Sequence, residues 1–522
     1  MTTNPVAAMS EKTKLLVFAV MALGMFMSLL DVQIVAASLP EIESGLSAGA
    51  DEGSWVQTSY LIAEIVMIPL SAFLSRAFST RWVFTVSAAA FTVSSIACGF
   101  AWNLNVMIAC RAIQGFVGGA MVPTVFATGF VLFQGKKQAL IPAILGIVAT
   151  LAPTLGPTLG GWITDVLSWH WLFFINIVPG LLITILVPIY AHVDEADLSV
   201  LRGFDPWGIP LLAVFLGGLE YVLEEGPRWD WFEDPTNCWV AAASATSALF
   251  FFYNSFTHPR PVVDLRIFRN TRFAMGCLFQ FVLGIGVFSS IYLIPQYLAS
   301  VQDYRSLDIG KAVFITGIAQ VLATPFAAGL SRRMDPRHMI LFGFLLFALS
   351  LYSISYLNSQ WGKDELFWPQ AMRGFAMMFC IVPATNMALG AMPPQWLKSA
   401  SGLSNLMRNL GGAIGIAASN TVINHRFHLH YTRIVETVTS ANPNVDPVLV
   451  GLARQMQVLT SDTAEQQQMA MSVLNQLVSK EALSMTYADS FLVLASLFLL
   501  ALTVLPFSRR MRPTAASSAD SH

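Results

Sequence analysis

Five ionisable side chains, Asp31, Glu64, Arg111, Arg373 and Arg408, sit inside apolar runs long enough to cross a hydrocarbon core. A charge at the centre of a membrane helix costs about 2.5–3.5 kcal/mol on insertion scales, so it usually faces a cavity or a partner. Asp31, Glu64 and Arg111 fall together in the first third of the chain. An opposite charge favours the ionised form of a carboxylate, and burial favours the protonated form. A carboxylate held between those effects can load a proton in one conformation and release it in another. That is the chemistry a proton-coupled carrier needs. The bland alternative is a permanent Arg–carboxylate bridge that only ties helices together. Glu220 and Asp489 lie nearer the ends of their runs and read as interfacial carboxylates.

Helices must hold these groups, and composition says what kind. Hydrophobic residues make up 55% of the 522 and charged residues 11%, against roughly 25% charged in soluble domains. The mean hydropathy of +0.61 agrees. Reading at about 20 apolar residues per crossing, spans are expected at 15–38, 55–75, 82–102, 106–130, 139–162 and 170–192. Two more are expected at 206–223 and 238–257, and six at 273–299, 312–330, 339–357, 366–391, 400–424 and 485–507. The fold class is therefore all-α and polytopic, with six, two and six helices. The domains are 1–192, a linker pair over 193–260, and 261–522. With both termini cytoplasmic, eighteen Lys and Arg fall in inside loops and eight outside, as the positive-inside bias requires. Deleting the middle pair would keep that parity, so charge sets orientation without setting the count.

The two halves echo each other. Pro69, Ala72, Leu74, Ser75 and Arg76 recur as Pro325, Ala328, Leu330, Ser331 and Arg332, 256 residues later. Arg111 before Pro123 recurs as Arg373 before Pro383, at a displacement of 262. Internal repeats in membrane proteins point to transporter architecture. In the fifth span Gly156, Pro157, Gly160 and Gly161 combine close helix approach with a helix-bending proline. Gly411, Gly412 and Gly415 repeat the small-residue theme beside Arg408.

The net charge of −2 gives no basic footprint for nucleic acid. Cys98, Cys110, Cys238, Cys277 and Cys380 are scattered and read as small hydrophobes rather than a disulfide framework. No nucleotide loop, metal constellation or nucleophile motif is present, so an enzyme is not expected. The segment 424–484 reads as a long outside loop carrying His425, His428 and His430, then Pro443 and Pro447, then a Gln-rich helix around Gln466, Gln467 and Gln468. Those histidines have no neighbouring carboxylate or thiolate, so a metal site is not expected there. The tail from Ser508 to His522 reads as disordered.

These residues resemble the fourteen-span drug:proton antiporters of the major facilitator superfamily, the EmrB/QacA-like group, across nearly the whole chain. Leu30 and Asp31 with Leu39 and Pro40 are similar to the family's first-span motif. Arg111, Gln114 and Gly115 match its R-x-x-Q-G motif in the fourth span, and Gly156, Pro157, Gly160 and Gly161 its fifth-span antiporter motif. Trp169, His170 and Trp171, followed by Phe174, Ile175 and Asn176, resemble the string that opens the sixth.

The resemblance implies a major facilitator fold of two six-helix bundles plus two central helices. It implies export of amphipathic compounds or drugs across the inner membrane, with protons as coupling ion and no other cofactor. Asp31 and Arg111 fall at its coupling positions, with Glu64 beside them by the charge argument. The implied partners are a small amphipathic substrate, membrane lipid, and a periplasmic adaptor with an outer-membrane channel, met through 424–484. Export of a dedicated metabolite, siderophore or lipid is the alternative. The chain departs from the family at the loop after span two. The stretch from Ala72 to Ser79 keeps that loop's usual leucine as Leu74 but lacks both its glycines and its aspartate, so its charge latch is altered or is carried by Arg332, Arg333 and Asp335.

Overall fold

The computed structural model describes residues 6, 9–133, 135–203, 205–390, 392–438, 442, 445–457 and 462–507. The tail from Ser508 and Pro443 lie outside them. No strand occurs among the described residues. The long helices are α1 (Glu11–Ala37), α2 (Trp55–Phe78), α3 (Thr80–Gly99), α4 (Leu104–Leu132), α5 (Ile141–Val166), α6 (Trp171–Tyr190), α7 (Gly208–Glu225) and α8 (Pro235–Thr257). They continue as α9 (Thr271–Ser300), α10 (Ser306–Leu330), α11 (Pro336–Ile354), α12 (Phe367–Leu389), α13 (Leu397–Thr437) and α14 (Thr463–Leu502). Eleven are long and apolar enough to cross a membrane by length and composition. The other three, α7, α8 and α13, stand where spans were expected but are short, or rich in Ser, Thr, Asn and charge.

Apolar side chains cover much of the outer surface, including Val93, Leu249, Tyr253, Leu322 and Leu500. Water would penalise such a belt, whereas lipid accepts it. Polar and small residues turn inward, and this lets helices approach closely. A Cβ on Gly156 of α5 would overlap Gln33 of α1, and one on Gly160 would lie 3.0 Å from the Ile34 carbonyl. The fifth-span glycines therefore seat α5 directly on α1, and α5 stays helical through Pro153 and Pro157. Gly161 is buried on the same helix. Gly115 of α4 lies against the Tyr60 carbonyl of α2, as Gly374 of α12 lies against the Thr316 carbonyl of α10. The sequence echo is thus repeated in the packing. Gly411 and Gly415 of α13 bring that helix onto the Phe281 and Ile285 carbonyls of α9.

One large apolar cluster is built mainly from α1 to α7, and a second from α9 to α12 with α14. Two seams join them. In one, Gly402 of α13 faces the Ile68 carbonyl of α2 at 3.3 Å from an added Cβ. In the other, Gln320 of α10 donates to Thr150 Oγ1 of α5 at 2.7 Å. Helices α7 and α8 form a hairpin, with Ser244 donating to the Phe215 carbonyl at 2.8 Å. Gly217 of α7 faces Ile62 and Val66 of α2, where an added Cβ would make ordinary van der Waals contact. After α7, Trp231 Nε1 donates to Thr421 Oγ1 and Asn424 donates to the Pro227 carbonyl, which ties the hairpin to α13.

The segment 424–484 differs most from expectation. Among the described residues it is mostly helix: α13 runs unbroken to Thr437, α14 begins at Thr463, and a short helix, Val445–Met456, lies between. Neither 425–437 nor 463–484 contains glycine or proline, so nothing stops either helix at a membrane edge. At 41 and 40 residues and 1.5 Å per residue, each is about 60 Å long, twice a hydrocarbon core. Tyr431 donates to Asn475 Oδ1 at 2.6 Å and clamps the extensions together. Near the start of α14, Gln466 is buried, while Gln467 and Gln468 are exposed. His430 pairs with Asp489 at 2.9 Å, and Arg426 lies 3.2 Å from the same carboxylate. Asp489 is thus an interhelix partner and not a lone interfacial acid. His425, His428 and His430 lie on α13 itself, and no group of three metal-binding side chains occurs among the described residues.

Candidate functional site

Asp31 of α1 and Arg111 of α4 meet in the interior, each at most 1% exposed, with Nη1 2.5 Å from Oδ2. The pair is caged. Gln114, one turn after Arg111, accepts from Nη1 at 2.9 Å and donates to Asp31 Oδ1 at 3.0 Å. Asn176, at the start of the main segment of α6, donates to the same Oδ1 at 2.7 Å and to Ser95 Oγ of α3 at 3.0 Å. Arg111 Nε donates to the Val56 carbonyl of α2, and the guanidinium lies 4.3 Å from the Tyr60 ring. Five helices thus converge on one carboxylate. The cage satisfies most of the polar atoms, which is the condition for a buried pair to persist. Arg111 Nη2 is the exception, buried without a hydrogen-bond partner. Gly115 lets α4 approach α2 closely enough for the Val56 bond.

Glu64 does not join this pair. Among the described residues it makes no direct ion pair, and it lines a separate central cavity of about 130 Å³. Leu29, Val32, Leu61, Val287, Phe288, Met377 and Ile381 supply the apolar lining, and Glu64, Glu220, Glu224, Arg408, Gln33, Thr150 and Asn409 the polar part. Helices from both clusters and the α7 hairpin contribute. Arg408 is held by Asn405, which accepts from Nη2 at 2.7 Å, and its guanidinium lies 5.6 Å from the Phe126 ring. Glu220 is 5% exposed and lines this cavity, so it is not an interfacial carboxylate. Packing of α7 on α2 carries Glu220 to the cavity wall.

Arg373 occupies the echo position of Arg111 without its acid. It donates to Thr316 Oγ1 at 3.1 Å and to Gln370 Oε1 at 3.4 Å, while Nε and Nη1 are buried without partners. The second half therefore repeats the cationic member of the motif but not the ion pair.

A second polar cluster lies at the end of the molecule that holds the α2–α3 turn. Lys398 of α13 contacts Asp194, which follows α6, and donates to the Ser75 carbonyl of α2 at 2.7 Å. Asp194 also accepts from the Thr80 backbone N–H at 3.0 Å. Ser401 donates to the Pro123 carbonyl at 2.6 Å beside it. This contact bridges the two clusters where the altered loop lacks its aspartate. Asp335 instead caps its own helix by accepting from Arg337 N–H. Asp194 and Lys398 thus tie α6, α2 and α13 together at this end, and neither was singled out from the sequence. Their separation of about 200 residues left no local pattern to find them by.

The chain matches the Major Facilitator Superfamily over residues 21–416. It is 38% identical to the colistin resistance protein EmrB of Acinetobacter baumannii over 93% of this chain and 94% of that protein. It is 29% identical to the multidrug export protein EmrB of Escherichia coli over 94% of each. Among solved structures, the human organic anion transporter MFSD10 (TETRAN) superposes with a TM-score of 0.61 at 15% identity, over 95% of this chain and 100% of that one. At that identity the likeness speaks for the fold alone. The helical architecture, the caged Asp31–Arg111 pair with its R-x-x-Q-G frame, and these matches lead to one assignment: the chain belongs to the Major Facilitator Superfamily, as a transporter of the EmrB type.

Proposed function

We propose that this protein exports amphipathic organic compounds, drugs among them, from the cytoplasm across the inner membrane in exchange for protons. The observation that carries the reading is the fully buried Asp31–Arg111 pair set behind an apolar cavity that opens onto Glu64. In one conformation the cage holds Asp31 ionised against Arg111. If rocking of the halves separates the α1 and α4 partners, Asp31 becomes an uncompensated buried charge and takes up a proton. Glu64, facing the cavity, links that event to the substrate. The bundles 1–192 and 261–522 rock around the cavity, with 193–260 as the joining pair.

In this reading both termini are cytoplasmic, so the Lys398–Asp194 contact closes the cytoplasmic side and the α13–α14 extension projects into the periplasm. That extension is the docking surface for a periplasmic adaptor leading to an outer-membrane channel. The names of the EmrB relatives, which refer to multidrug export and to colistin resistance, support the substrate class. Protons are the coupling ion. The test is substrate-induced proton movement in vesicles reconstituted with pure protein. Wild type is expected to acidify the lumen or alkalinise it with a sign set by the substrate gradient, and Asp31→Asn to abolish the signal while the protein remains monodisperse. Undiminished proton movement in Asp31→Asn would remove the assignment.

A further inference from the structure

The central cavity holds more carboxyl groups than the transport cycle described above uses. Three carboxylates line it, Glu64, Glu220 and Glu224, against one cation, Arg408. Glu64 and Arg408 are electrostatic neighbours. Glu220 and Glu224 lie one helical turn apart on α7 and so share a face, and that face is the one turned to the cavity. The third acid of the helix is accounted for elsewhere: Glu225 lies 3.7 Å from Arg228 and accepts from Trp229 Nε1 at 3.1 Å. Glu220 has no such partner. It is 5% exposed, and its Oε2 is buried with no hydrogen bond at all.

A buried carboxylate left unpaired is costly in its charged form, so it either takes up a proton or is offset by a cation that the working cycle brings. Glu220 itself lines the cavity, whose wall also includes the apolar side chains of Phe288 and Leu61. An organic cation supplies what this arrangement lacks: a positive centre for the carboxylate and hydrophobic surface for the remaining wall. Such groups fix orientation and selectivity in otherwise apolar pockets.

We propose that Glu220, with Glu224 one turn on, forms a cation-recognition subsite, through which α7 selects positively charged amphiphiles. The hairpin α7–α8 is then a wall of the substrate cavity, not a passive linker. This inference rests on the export reading above, and the experiment separates the two. Full-length protein in lipid nanodiscs is titrated with tetraphenylphosphonium and with its neutral relative, triphenylphosphine oxide.

Glu220→Gln is expected to weaken tetraphenylphosphonium binding at least tenfold and to change triphenylphosphine oxide binding less than twofold. Glu220→Asp keeps the charge and is expected to retain most of the tetraphenylphosphonium affinity. Where Glu220→Gln does not fold, Glu224→Gln is read by the same charge-selective ratio. Equal losses for both probes, no change for either, or no binding of tetraphenylphosphonium by wild type overturns the subsite. Loss of proton flux in Glu220→Gln with binding of both probes unchanged also overturns it, since Glu220 would then serve proton transfer. A vesicle assay in which wild type moves no protons with any substrate defeats the export reading and leaves the binding ratio standing.

Discussion

Asp31 shows how much structure one buried charge requires. Its two oxygens are served by Arg111 and Gln114 of α4 and by Asn176 of α6. A buried acceptor that loses a donor costs about 1–3 kcal/mol. Asn176→Leu is therefore expected to lower the thermal midpoint of the purified protein, read by dye fluorescence, by that order of stability. It should also reduce proton-coupled transport without abolishing it, because Arg111 and Gln114 remain. An unchanged midpoint would mean that the cage does not hold Asp31 in the way its geometry implies. Arg111 with Gln114 and Gly115 was legible as a short motif, because one helix turn carries all three. Asn176 stood in a recognisable string, but its partner is 145 residues away. Nothing local marks it as a ligand of Asp31.

The helices were legible where their composition is unmixed. The split of Trp55 to Gly99 into two helices agrees with expectation, as does α5 through both prolines. The errors fall where a helix leaves the apolar phase without a stop signal. A hydropathy reading ends at the membrane edge, whereas backbone hydrogen bonding continues until glycine or proline interrupts it. That is why 424–484 read as a loop and folds as two helical extensions. The Tyr431–Asn475 bond places the two helices side by side at that level. Excising 432–474 and joining the helices with a short Gly-Ser turn is thus expected to leave vesicle transport near wild type. Under the docking role proposed for the extension, the same variant is expected to lose copurification with a periplasmic adaptor. Loss of transport in vesicles, or retained copurification, would assign the extension another role.

At the scale of the molecule, the two seams must open in turn for the cavity to reach each side. Lys398 is one tie across the seam of α2 and α13, and it binds Asp194 and the Ser75 carbonyl together. Lys398→Ala is expected to shift the equilibrium toward the conformation open at that end by about 1–3 kcal/mol, a five- to 150-fold change in population. Faster labelling of a cysteine introduced at Ala400, which is buried in this state, would report the shift. A labelling rate equal to that of the Lys398 parent carrying the same cysteine would show that the tie is dispensable. Family sequences place this latch in the loop after the second span. Here a Lys398–Asp194 contact at the exit of α6 lies beside that loop, and only the folded chain reveals it.

The sequence by itself determined that this chain is helical, polytopic and duplicated, because hydrophobic length, loop charge and repeated motifs are local quantities written along the chain. It also marked Asp31, Glu64, Arg111, Arg373 and Arg408, since a charge in an apolar run is conspicuous without its surroundings. What those charges face was decided only by tertiary structure. Asp31 met Arg111, Glu64 turned to the cavity, and Arg373 found hydroxyl and amide partners but no acid. Glu220 moved from an expected interface to the cavity wall, because α7 packs on α2 rather than standing apart in the bilayer. Pairing energies depend on distance and burial, and both are set by helices hundreds of residues apart.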